Sequence, residues 1–236
     1  LQKLENSKSS NAEPLKQGFL LRLRIPYRES DKLQEGFEFF TEKLNEYKKT
    51  NDSIGLSNCY YVLSGFYRTI GLYEPAIYNM KKSVSYIDTL NEKQIRFFNM
   101  VFDYGKARWI NNASIISDYY LQNGDYEKAI INGKIVLKVA MHFYNTGGYG
   151  DTAAALRTTS SARHLVQAYL FSNQLDSVGY YLQIADRSSA DDANISAKLF
   201  FLQLHALYNI KKGEFSKADS LLQQCWKMVN QYQMGV

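Results

Sequence analysis

The chain has 236 residues, of which 45% are hydrophobic and 14% aromatic, and its 28 basic and 23 acidic side chains leave a formal net charge of +5. That is ample material for a core. The small basic excess is dispersed, with Lys48-Lys49, Lys81-Lys82 and Lys211-Lys212 far apart, and so argues against a nucleic-acid-binding stripe. Only 3 prolines and 14 glycines favour long helices over a loop-rich β fold, and no run reaches the roughly 18 apolar residues that a membrane span requires.

Residues 1 to 13 are polar and expected to be loose. The chain starts at Leu1 rather than Met, as expected of a processed protein or an excised fragment. Leu15 to Ile25 reads as a helix that stops near Pro26. Its apolar stretch carries Arg22 and Arg24, and is too short and too charged for a signal peptide. Asp31 to Lys48 reads as a second helix with Leu33, Phe37, Phe40 and Leu44 on one face. Together they predict an irregular hairpin over residues 14 to 50 that caps the remainder of the chain.

Beyond this hairpin the sequence is repetitive. One copy runs Tyr60, Leu63, Tyr67, Gly71, Tyr73, Ala76, Met80, Ser83, and a second runs Ala113, Ile116, Tyr120, Gly124, Tyr126, Ala129, Gly133, Val136. Both have spacings of three, four, four, two, three, four and three. A third copy, Ala162, Leu165, Tyr169, Asn173, Leu175, Val178, Leu182, Ala185, has Asn at the turn. Asn tolerates the left-handed backbone that Gly adopts there. A fourth, Phe201, Leu204, Tyr208, Gly213, Phe215, Ala218, Leu222, Cys225, has one extra residue before its glycine. Spacings of three and four hold residues on one helical face. The Gly ends the first helix, the aromatic two residues on covers the reversal, and the small residue beyond it lets antiparallel helices approach. Each hairpin keeps an apolar face that it cannot bury alone, so hairpins stack.

The repeats are expected at about residues 57–90, 109–142, 159–187 and 198–230, within one helical repeat domain over 14–236. Extra length lies between them. Glu92 to Gln122 reads as one long helix or two short ones, and residues 145–152 and 187–194 read as loops, with Asp151 placed to cap the next helix.

Motifs for chemistry are sparse. The glycines of residues 147–151 lack the Gly-Lys-Ser/Thr ending of a phosphate loop. His142, His164 and His205 share no metal-ligand spacing, and His164 reads as a partly exposed helical residue. Cys59 and Cys225 form no CxxC pair and read as small core residues without a disulfide. No GxSxG elbow is present. No catalytic residue, metal or cofactor is expected.

Tyr67, Gly71, Tyr73 and Ala76, and again Tyr120, Gly124, Tyr126 and Ala129, resemble the tetratricopeptide repeat (TPR) over roughly residues 57 to 228. The closing Pro of that pattern is absent, and the turns lie 53, 49 and 40 residues apart rather than about 34. The resemblance implies an all-α, right-handed α-solenoid of about four to five hairpins, with ligands on the concave face lined by the first helices. Residues of the first helices turned away from the Leu and Tyr seam would then be Asn58, Tyr61 and Arg68, then Asn111, Ser114 and Asp118, then Arg163 and Gln167. They would form a polar groove for a protein, a peptide or a small polar ligand. Homodimerisation is left open.

The Asp-Ser openings of the later second helices, Asp176-Ser177 and Asp219-Ser220, are similar in texture to the N-terminal TPR regions of Bacteroidetes membrane-bound regulators. Those regions are extracytoplasmic and precede a membrane span and a histidine kinase or helix-turn-helix output domain. The resemblance implies a periplasmic, non-catalytic sensor of a two-component type of system, attached to the membrane only through flanking segments. The alternative is a free-standing scaffold that docks protein or peptide partners, in the cytoplasm or the periplasm.

The alignment puts Ala76 and Ala129 at close helix contacts. Ala76→Arg and Ala129→Arg are each expected to unfold at least part of the array, because a long charged side chain would be forced into the contact. Unchanged thermal melting of both variants would sink the alignment.

Overall fold

The computed structural model describes residues 12–29, 31–90, 105–146, 151–189 and 195–231. These residues form ten α-helices. They are α1 (Ala12–Glu29), α2 (Leu33–Thr50), α3 (Ser53–Thr69), α4 (Tyr73–Asp88), α5 (Gly105–Gln122), α6 (Tyr126–Thr146), α7 (Asp151–Phe171), α8 (Leu175–Ser189), α9 (Ile195–Lys211) and α10 (Phe215–Gln231). The chain divides into two compact units, Leu1–Asn123 and Gly124–Val236. In the first, α1 packs on α2 and α3, α2 on α3, α3 on α4, and α4 on α5. In the second, α6 packs on α7, α7 on α8, both α7 and α8 on α9, and α9 on α10.

The reversals have a common chemistry. Gly71, Gly124 and Gly213 sit at φ of 75°, 77° and 78°, and Asn173 at 58°, so all four turn positions of the alignment adopt the left-handed conformation. That conformation lets the turn satisfy carbonyls the helix end would leave without donors. Gly71 N–H donates to the Arg68 carbonyl (3.0 Å) and Leu72 N–H to that of Tyr67 (2.9 Å). The same two bonds recur from Asn173 and Gln174 to Leu170 and Tyr169, and from Gly213 and Glu214 to Ile210 and Asn209. In the last copy the carbonyl that closes the turn belongs to Asn209 rather than to the aligned Tyr208, so the extra residue is absorbed as one more helical position. Asn51, at φ 53°, makes this turn between α2 and α3. Asp52 then caps α3, its carboxylate accepting from the backbone N–H groups of Ile54 and Gly55 at 3.0 Å each.

The aligned apolar positions form the seams. Leu63, Ala76, Met80, Ile116, Ala129, Val136, Leu165, Val178, Leu182 and Ala218 are buried. The exceptions lie in the last copy, where Phe215 and Leu222 of α10 are exposed while Ala218 and Cys225 are buried. In the first unit the core is aromatic. Phe66 of α3 meets Phe40 of α2 at 5.7 Å and Phe37 at 5.4 Å between ring centroids, both edge-on, and each such ring contributes about 1.5–3 kcal/mol by burial. In the second unit Tyr169 stacks on Tyr181 at 5.3 Å. Burial and the neighbouring Tyr169 push the Tyr181 phenol up to about 12.

Polar groups also fix how the helices stack. Ser57 and Ser83 exchange hydrogen bonds between α3 and α4, each hydroxyl donating to the other residue's carbonyl at 3.0 and 2.8 Å. Asn112 of α5 donates to the Ser83 hydroxyl at 3.1 Å, which ties α5 to the same point.

Three expectations from the sequence change. α1 does not stop at Pro26 but runs through it to Glu29. Near a helix end Pro removes only one ladder bond, and Tyr27 anchors the last turn against Phe39 and Phe40 at 6.0 and 6.4 Å. His164 is buried rather than partly exposed. Asp151 is the first residue of α7 itself. Most of the loose segment expected at 1–13, much of the stretch from Glu92, and residues 147–150 and 190–194 of the expected loops lie outside the described residues. Cys59 and Cys225 are both buried free thiols.

Gly71→Ala is expected to cost about 1–2 kcal/mol, the penalty for a Cβ in left-handed backbone, read as a lower urea midpoint. Asn173→Gly, which retains that backbone, is expected within about 0.5 kcal/mol of the wild type. Equal midpoints for Gly71→Ala and wild type would contradict the turn assignment.

Candidate binding site

In the first unit, α1, α3 and α5 surround a cavity of about 410 Å³, a size typical of ligand pockets. Its apolar base includes Val62 and Phe66 of α3 and Met80 of α4, all buried. Its polar rim comes from three helices. Arg24 and Arg28 project from α1, Tyr61 and Arg68 from α3, and Asp118 and Tyr119 from α5. Among the described residues of the lining, three guanidinium groups accompany one carboxylate, a surplus of two positive charges.

Local sequence explains each placement. Arg24 and Arg28 are four apart, one helical turn, and share a face. Arg28 is at the cavity because α1 continues through Pro26. Tyr61 and Arg68 are seven apart on α3, two turns along one stripe.

The aromatic rings hold the cations. Arg24 donates from Nη1 to the Tyr61 hydroxyl at 2.6 Å, with its Cζ 5.1 Å from that ring's centroid. Arg68 lies over the Tyr119 ring at 6.0 Å, and such cation–ring contacts are attractive. Tyr119 accepts a hydrogen bond from the Ser64 hydroxyl at 3.3 Å. Burial pushes the Tyr119 phenol above its ordinary value, while the Ser64 bond and Arg68 act the other way. Arg68 and Asp118 form an ion pair with a closest N–O distance of 3.7 Å.

Of the residues expected at the groove, the structure brings Tyr61, Arg68 and Asp118 together. Asn58 is a correction. It is 0% exposed and its Nδ2 donates to Gln17 Oε1 of α1 at 2.7 Å. α1 covers that face of α3, and the polar residue is matched by a buried polar partner instead of solvent. Ser114 is a second correction, being buried in α5 rather than open to the groove. Asn111 is exposed but does not line the cavity. Arg163 and Gln167 are half-buried on α7 of the second unit. There Arg163 packs its guanidinium 5.0 Å from the Phe200 ring and reaches the His164 ring at 3.3 Å.

Sequence reasoning missed Arg24, Arg28 and Tyr119. The first two carry a signal, a basic pair at helical spacing, that a helix ending at Pro26 conceals. Tyr119 adjoins the seam residue Tyr120, and nothing in the repeat spacing singles it out.

No protein-family model matches the sequence, and no curated protein matches it. Solved structures do. A kinesin light chain-like protein of Podosopora anserina with nearly identical TPR-like repeats is similar at 16% identity and a TM-score of 0.66, over 94% of this chain and 99% of that one. A variant of it is similar at 15% identity and a TM-score of 0.68, with the same coverage. No helix among the described residues is long and apolar enough to cross a membrane.

Asn58→Ala would remove the donor that meets Gln17 Oε1 in the buried α1–α3 contact and is expected to lower stability by about 1–3 kcal/mol. Asn111→Ala, at an exposed position, should stay within about 0.5 kcal/mol of wild type, and chemical denaturation of the two side by side checks the contrast. The turn geometry, the repeat seams and the structural neighbours agree that this chain has the all-α, TPR-like helical-repeat fold.

Proposed function

We propose that this chain is a non-catalytic binding module, and that its first unit docks an extended acidic peptide or protein segment across α1, α3 and α5. The observation that carries this reading is the cavity rim, where Arg24, Arg28 and Arg68 surround an apolar base. Guanidinium forks match carboxylates in shape and charge, and the base offers Phe66 and Met80 to an apolar side chain beside the acidic one. Among the described residues of the lining, the one carboxylate faces a guanidinium, and there is no His, Cys or Ser. The Thr69 hydroxyl of that lining donates to the Gly65 carbonyl at 3.0 Å and Asp118 pairs with Arg68, an arrangement that favours binding over an acyl- or phosphoryl-transfer role. Protein recognition along the first helices is also what resemblance to the repeat implies.

Within this proposal the module serves as the extracytoplasmic sensing part of a bacterial regulator, a reading supported by the Asp176-Ser177 and Asp219-Ser220 texture. A free-standing scaffold is the alternative. An apolar span of about 20 residues after residue 236 in the full reading frame, leading to an output domain, would favour the sensor. A stop codon there would favour the scaffold.

The binding test is fluorescence anisotropy with rhodamine-labelled peptides that alternate Glu and Leu, and with their Gln-for-Glu counterparts. The acidic set should bind and the Gln set should not. Arg68→Ala should weaken binding roughly tenfold, the effect of losing one charge-assisted hydrogen bond, without shifting thermal melting. Equal affinity for both sets, or for both proteins, would refute the proposal.

A further inference from the structure

The Arg68–Asp118 pair differs from the surface ion pairs of the same chain. Lys128–Asp125 closes to 2.6 Å and Lys43–Glu46 to 2.8 Å, whereas Arg68 and Asp118 remain 3.7 Å apart. At that separation the pair is a Coulombic contact and not a hydrogen bond. It is also non-local. Arg68 comes from the last turn of α3 and Asp118 from the C-terminal part of α5, so their meeting is a product of the stack. Both line the cavity, with side chains 51% and 24% exposed.

Arg68 is thus held over Tyr119 and near a carboxylate, with its guanidinium half open to the cavity. Asp118 presents to Arg68 the same group that an acidic ligand would present. We infer that Asp118 is a specificity-determining residue, an internal occupant of the anion site that an incoming carboxylate must displace from Arg68. The inference rests on the acidic-ligand reading and assigns the regulation of that site. A carboxylate on the ligand replaces Asp118 at Arg68, in a cavity that Arg24 of α1 also lines. A neutral amide cannot compete with Asp118 for Arg68 and is left outside. Asp118 therefore sets how much of the Arg68 attraction an acidic ligand keeps, and holds down the preference for acidic over neutral peptides. The displacement is feasible because exposed, loosely spaced pairs are weak.

The experiment is the same anisotropy titration with Asp118→Asn, Arg68→Ala and the double variant, each first checked for an unchanged melting midpoint. Asp118→Asn keeps size and polarity and removes the competing charge. It should raise affinity for the Glu-Leu peptides about twofold to fivefold, the range expected when an exposed ion pair no longer competes. The Gln-Leu peptides should still not bind, so selectivity rises as well as affinity. In the Arg68→Ala background the gain should vanish, since the two residues act on one contact. Asp118→Asn binding equal to or weaker than wild type, while Arg68→Ala still weakens binding, overturns this inference and leaves the acidic-ligand reading intact. No discrimination between Glu and Gln peptides by any of the proteins overturns both.

Discussion

A left-handed residue at the described reversals Asn51, Gly71, Gly124, Asn173 and Gly213 makes the rest of the structure possible. A helix that ends without partners leaves its last carbonyls bare, and a buried hairpin cannot tolerate that. Gly71, Asn173 and Gly213 turn the chain and satisfy two of those carbonyls in the same step. Because the reversal is tight, the following helix returns directly along the preceding one, and the buried Ala76 and Ala218 keep the interface narrow. Gly133 shows how narrow such an approach becomes, since a Cβ there would lie 2.9 Å from Leu165 on α7.

Hairpins built this way still need a register, because apolar faces slide easily past one another. In the first unit buried polar groups provide it. Ser57, Ser83 and Asn112 meet from three helices, and Gln17 with Asn58 joins α1 to α3. Displacing any of these helices by a residue would leave buried donors and acceptors unmatched, at about 1–3 kcal/mol each. The rim of the cavity depends on that alignment. Arg24, Arg68 and Asp118 come from three separate helices, and their distances reflect the stacking register and no local sequence feature.

The electrostatics of the rim depend on its floor. Val62, Phe66 and Met80 exclude water from one side, which strengthens charge interactions at the edge relative to an open surface. Stacking on Tyr61 and Tyr119 holds two of the guanidinium groups in place without neutralising them. The positive surplus is thereby presented to an anionic partner, with Asp118 as the opposing charge among the described residues of the lining.

The sequence by itself determined the helical class, the turn positions and the seam of each repeat. These are encoded locally, in the spacing of three and four that builds one helical face and in residues that accept left-handed backbone. It also brought Tyr61, Arg68 and Asp118 forward as groove residues. Only the tertiary structure decided that Asn58 and Ser114 are buried, that Leu222 is exposed, and that Arg24 and Arg28 join the cavity. The physical reason is that solvent exposure in a stack depends on which neighbouring hairpin covers a face. A single helix's periodicity shows where its own partner sits and carries no information about the next one. The continuation of α1 past Pro26 is of the same kind. Local propensity ends that helix, but packing of Tyr27 on Phe39 and Phe40 outweighs one missing hydrogen bond and carries Arg28 to the site.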